Sequence, residues 1–151
     1  MADLKLIILD QEDLAVMSAH LQDAVLRVGD IAYQAQDKRF AAVANRFDWE
    51  GDIKAKTQRK KKHQRRRSGL RFERVLAART LRIDLSKSDD VLSLLAVTFE
   101  ETDAPAGRLT LNFSGGMAIE LDVECIEAEL RDLGAAWATD FRPLHKTDRT
   151  S

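Results

Sequence analysis

A single cysteine in 151 residues leaves no partner for an intrachain disulfide, so packing rather than covalent staples must hold this chain together. Long apolar runs are missing as well, since nothing approaches the ~20 consecutive apolar residues that a membrane-crossing helix needs. The opening residues, MADLKLIILDQED, carry no basic leader and reach Asp10 after six mostly apolar positions, unlike a secretory signal. These absences predict a cytoplasmic location. Sequence motifs of catalysis are missing too. No HExxH, CxxC, GxSxG or phosphate-cradling glycine loop occurs, and His20, His63 and His145 share no ligand spacing. No metal, cofactor or catalytic residue is expected, and an enzyme is the least favoured class.

What is present describes an ordinary soluble globular chain, 44% hydrophobic and 32% charged. Its length suits one domain that buries roughly two-thirds of the surface exposed when unfolded. The expected layout is a globular domain over residues 1–141, an inserted basic flexible loop at 52–69, and a polar tail at 142–151.

Charge is the most uneven property. The chain carries a net charge of −1, yet the nine Lys and Arg residues from Lys54 to Arg67 face no acid in that segment, so it holds +9 and leaves −10 on the remainder. Screening confines each field to ~8 Å at physiological salt, so a basic block on an acidic body behaves differently from a neutral protein.

Periodicity supplies the elements. LKLIIL at 4–9 predicts a short buried strand. Asp10 then stands as a helix N-cap with Asp13 three positions later, and Leu14, Met17 and Leu21 form an apolar stripe ending near Gln22. Residues 24–36 and 39–50 predict a long hairpin turning at Asp37 and Lys38, with Gly29 marking a bulge. In the second arm Ala41, Val43, Asn45, Phe47 and Trp49 share one face, and Phe40, Ala42, Ala44 and Arg46 the other. Residues 70–85 change phase, which predicts a bend near Val75 to Ala78. Strands at 89–101, 107–113 and 117–123 follow as a meander turning at APAG and SGG. Val123, Ile126, Leu130, Leu133 and Trp137 recur at helical spacing, predicting a terminal helix stopped by Gly134, with Glu127 and Arg131 paired on its exposed side.

The predicted fold is therefore α+β. It has about seven strands in a mainly antiparallel curved sheet or partly closed barrel, with one helix after strand 1 and a second capping an end. By analogy alone the arrangement is pleckstrin-homology-like.

AVLRVGDI (24–31), NRFDWE (45–50), FERVLA (72–77), VLSLLAVTFE (91–100) and above all VECIEAELRDLGAAW (123–137) resemble a family of small, mainly alphaproteobacterial proteins catalogued as a domain of unknown function. The resemblance spans nearly the whole chain. It implies no activity, cofactor or catalytic residue. It does imply an arginine-rich run such as Arg65–Arg67 between two strands, with Lys54–Gln64 an elaboration of this chain.

RKKKHQRRR (59–67) is the strongest candidate site. Its composition is similar to the arginine-rich RNA-binding motif of lentiviral transactivators, in which guanidinium groups fork onto phosphates and base edges. Arg59, Lys60, Lys61, Lys62, Arg65, Arg66 and Arg67 are the expected contacts to RNA or another polyanion. A solvated loop leaning on the acidic body accounts for the same composition, and a protein–protein interaction domain is the alternative function. Membrane attachment is disfavoured because the segment has no apolar face to insert.

Three further features have plain structural explanations. Cys125 stands beside the apolar stripe and is expected to fill core. Glu120, Asp122 and Glu124 would project from one face of a strand, a row suited to a hard cation but equally to a solvated outer face. Trp49 and Trp137 could stack on a base, but their periodic positions suit the core or its rim. The partner's identity and the oligomeric state are not written in the sequence.

Overall fold

The computed structural model describes residues 3–47 and 65–134. Strand β1 (Lys5–Ile8) leads into helix α1 (Gln11–Leu21). Asp10 caps the helix by accepting from the Asp13 N–H at 2.8 Å, while the Asp13 carboxylate accepts from the Leu9 N–H. Leu14, Met17 and Leu21 face inward, as their spacing predicts.

Eight more strands follow: β2 (Val25–Gln34), β3 (Arg39–Phe47), β4 (Arg65–Phe72), β5 (Val75–Leu81), β6 (Val91–Glu101), β7 (Gly107–Phe113), β8 (Ala118–Val123) and β9 (Ala128–Asp132). They form one sheet in the order β1-β9-β4-β3-β2-β6-β7-β8-β5, every neighbouring pair antiparallel. The fold is thus mostly antiparallel sheet with one helix among the described residues.

Two devices bend the sheet over its own core. Strand β6 is shared, its first residues pairing with β2 and its remainder with β7. Strands β4 and β5 are nearly continuous, but the chain turns a corner at Glu73 and at Arg74, whose φ is 62°. Strand β5 therefore joins β8 at the far end of the order, with a register shift between Val75 and Ala77. That corner resolves the change of phase in the sequence. The inner faces meet in a single cluster that includes Phe40, Phe72 and Leu70 from one half and Leu94, Leu111 and Leu121 from the other, with Met17 of α1.

Glycine is required where strands crowd. A Cβ on Gly107 would come within 2.3 Å of the Phe99 ring and 2.6 Å of the Glu100 carbonyl oxygen. The expected irregularity at Gly29 is a register shift between Leu26 and Ile31, where the Val28 and Gly29 N–H groups turn to the Asp90 and Ser88 carbonyls.

Four expectations need correction. Nine strands replace about seven, because 65–85 divides at the Glu73 corner and because the predicted terminal helix is absent from 123–134. In its place β9 alternates, with Ala128, Leu130 and Asp132 buried and Glu129 and Arg131 less so. Glu127 consequently pairs with Arg74 at 3.2 Å rather than with Arg131. The sheet is not closed, since among the described residues β1 and β5 each pair on one side only. The expected loop at 52–69 gives way to strand from Arg65 onward. Positions 52–64, the tail at 142–151, Trp49 and Trp137 lie outside the described residues. Among the described residues no helix is long and apolar enough to cross a membrane.

Candidate polyanion interface

The candidate site grows from the antiparallel pairing of β4 with β3. Arg65 opposes Phe47, Arg66 opposes Arg46, and Arg67 opposes Asn45. Because side chains alternate across a strand, Arg65 and Arg67 share one face with Phe47 and Asn45, while Arg66 lies in the phase of Arg46.

Each of the three arginines meets different surroundings. The Arg65 guanidinium lies 4.0 Å above the centre of the Phe47 ring and donates to the Asn45 carbonyl at 2.9 Å. Arg66 donates to the Asp3 carboxylate at 3.0 Å. The Nε of Arg67 is buried and has no hydrogen-bond acceptor among the described residues. A buried donor without a partner is uncommon in folded proteins. Arg59, Lys60, Lys61 and Lys62, the other four expected contacts, lie outside the described residues.

Immediately beneath, on the inner face, is a polar network that sequence reading missed. Arg46 and Asp132 are each 4% exposed and Ser68 is fully buried. The Arg46 guanidinium forks onto Asp132, Nε to Oδ1 at 3.0 Å and Nη2 to Oδ2 at 2.8 Å, while its Nη1 donates to the Phe47 carbonyl. Ser68 donates to Asp132 Oδ1 at 2.7 Å, and the Leu4 N–H donates to Oδ2 at 2.9 Å. Burial opposes ionisation of Asp132, but the hydrogen bonds from Arg46, Leu4 and Ser68 outweigh it and hold the carboxyl below its ordinary value. The network ties β3, β4 and β9 to the residue that precedes β1. One signal in the sequence pointed to it: Arg46 continues the phase of Phe40, Ala42 and Ala44, an unexpected charge in an apolar register.

The acidic row on β8 meets cations rather than empty space. Arg79 of β5 forks onto Asp122 at 2.9 and 3.0 Å and reaches Glu120, Arg108 of β7 approaches Asp122, and Lys38 reaches Glu124. The Arg79 hydrogen bonds, joined by those of Arg108, overcome partial desolvation and keep the Asp122 carboxyl below its ordinary range. This is a cross-strand ion-pair ladder on an outer face. Among the described residues no group of three or more His, Cys, Asp or Glu side chains could hold a metal ion. Cys125 is only partly buried in the turn between β8 and β9, so it is not the core filler its spacing suggested.

A groove of about 120 Å³ opens on the outer face beside Arg67, lined by Ala41, Gly69, Leu70, Arg71, Glu129, Arg131 and Leu133. Its flanking charges are partly matched: Arg71 reaches Glu129 at 2.6 Å and Glu73 at 2.9 Å, and Arg131 stands 3.5 Å from Glu129.

No curated protein and no solved structure matches the chain. One family does: that described as Protein of unknown function (DUF2948) matches residues 4–145, nearly the whole length, and the chain belongs to it.

Proposed function

We propose that this member of the DUF2948 family is a non-catalytic binding module that uses its basic segment to contact RNA or another polyanion. The observation that carries the reading is the Arg67 guanidinium, whose buried Nε has no acceptor among the described residues, at the point where β4 continues the basic run. Arg65, stacked on Phe47, keeps its fork oriented, which lowers the entropy lost on meeting a phosphate. Arg59, Lys60, Lys61 and Lys62 precede these residues directly in sequence and would add charge without sequence readout. A protein partner is the second reading. The one-sided edge strand β5 favours it, since Leu76 and Leu81 stand 52% and 45% exposed along it.

The test replaces residues 54–64 with a Gly/Ser linker, which spares β4, and compares binding to immobilised RNA across a salt series. If about six charges meet phosphates of a single strand, log affinity falls with log salt at a slope of roughly −4, and the replacement flattens that slope. Equal retention of both proteins removes residues 54–64 from the contact, and retention of neither removes the polyanion reading. Protein partners that still co-purify after the replacement support the second.

A further inference from the structure

The outer face of β1, β9, β4 and β3 places unlike features in register. Lys5 opposes Arg131, Arg131 opposes Gly69, and Gly69 opposes Val43, so these four residues form one row across four strands. The next row contains Arg67 and Asn45, with Leu133 held beside them by its N–H to the Arg67 carbonyl at 2.7 Å. Arg65 and Phe47 form the row after that. Gly69 carries no Cβ, and one placed there would have the Leu133 side chain as its nearest neighbour, at an ordinary 3.5 Å. The result is an apolar floor lined also by Arg71 and Arg131, with Arg67 in the neighbouring row. The one carboxylate lining it, Glu129, is already engaged by Arg71 at 2.6 Å.

We infer that this face is a platform for single-stranded nucleic acid, with a base lying over Gly69 between Leu133 and the flanking guanidinium planes, and phosphates meeting Arg67, Arg65 and Lys5. The inference rests on the polyanion reading and narrows it, because an apolar floor among cations selects a ligand that has flat apolar rings as well as negative charge. A bare polyanion would gain nothing from the floor. A double helix keeps its bases stacked inside, away from a sheet surface, whereas single strands expose a π-face that stacks on aromatic and guanidinium planes.

The experiment measures fluorescence anisotropy of the full chain with a short labelled oligouridylate, with an oligodeoxythymidylate of equal length, and with polyphosphate and polyglutamate as competitors. Gly69→Leu fills the groove, Gly69→Ala adds one methyl at ordinary contact distance, and Arg67→Gln removes the unmatched donor. Melting curves establish that each variant folds. Expected are tighter binding of an oligonucleotide than of polyphosphate, a loss of about tenfold with Gly69→Leu, as one lost base stack implies, and unchanged competition by polyphosphate. Gly69→Ala gives a smaller loss in the same direction, so the test survives if the leucine variant fails to fold. Binding of either sugar class supports the platform, and the tighter of the two identifies the natural strand. A folded Gly69→Leu variant that binds oligonucleotide as the parent does overturns the inference, as does polyglutamate that competes as well as oligouridylate. If the 54–64 replacement abolishes binding while Gly69→Leu does not, the platform fails and the charge-based reading stands. If the parent binds none of these probes, both fail.

Discussion

The two faces of strands β3, β4 and β9 are built from the same residue types and reach opposite outcomes. On the inner face Arg46, Ser68 and Asp132 satisfy one another, with the Leu4 N–H and the Phe47 carbonyl completing the set. On the outer face Arg67 keeps a buried donor unmatched, and Arg65 rests on an aromatic ring. The inner arginine has no choice, because a buried charge without a partner costs several kcal/mol and would be selected against through instability. Arg65 on the outer face is exposed, where an incomplete set of partners costs little, whereas the unmatched Nε of Arg67 is buried and bears a desolvation cost. A guanidinium whose neighbours are fixed serves the fold, and one whose donors are left open can serve a ligand.

The sharpest way to break this contrast is to unpair the inner face. Asp132→Ala leaves Arg46 buried and uncompensated, and should cost roughly 3–5 kcal/mol in chemical denaturation. A loss under 1 kcal/mol would mean that water reaches the network and that the two faces do not differ. Acid titration probes the same pair more gently. Because the folded Asp132 value is depressed, its stabilisation is full above the unfolded carboxyl's ordinary 3.8 and is lost as pH falls through the lower folded value. The stability gap between the parent and Asp132→Asn should therefore narrow below that point, and a gap that stays constant down to acid unfolding contradicts the assignment. Ser68→Ala removes one donor from a carboxylate that keeps three others, two from Arg46 and one from the Leu4 N–H, and about 1 kcal/mol is expected. Smallest of all, Arg67→Gln on the outer face should change stability by less than about 0.5 kcal/mol while still weakening any anion contact. A large loss of stability there would make Arg67 a structural residue and remove the contrast.

Legibility in the sequence divides along the same line. Where a strand is half buried, alternation is visible directly: GRLTLNF and MAIELDV become β7 and β8, and the turn at Ser114–Gly116 falls where SGG predicts it. The N-cap at Asp10 is equally plain, being a local hydrogen bond between residues three apart. The terminal strand was disguised by its own buried acid. With Asp132 in an inward position, the period-two pattern Ile126, Ala128, Leu130, Asp132 appears broken, and Ile126, Leu130 and Leu133 mimic a helical stripe instead. Arg65–Arg67 were hidden for the same reason, because consecutive charges suggest a solvated loop until a neighbouring strand claims them. The candidate platform was legible only in its arginines. Gly69, Lys5 and Arg131 come from three different strands, and nothing local marks them as neighbours.

The chain by itself determined its periodic strands, its capped helix, the absence of covalent staples and the uneven placement of its charge, all of which depend on residues close together along the backbone. Tertiary structure alone decided which charges became core and which stayed open, because that choice depends on strand order: β9 inserted between β1 and β4 places Asp132 within reach of Arg46, 86 residues away. Pairing between distant strands is set by the shape of the whole buried surface, and no stretch of sequence carries that shape.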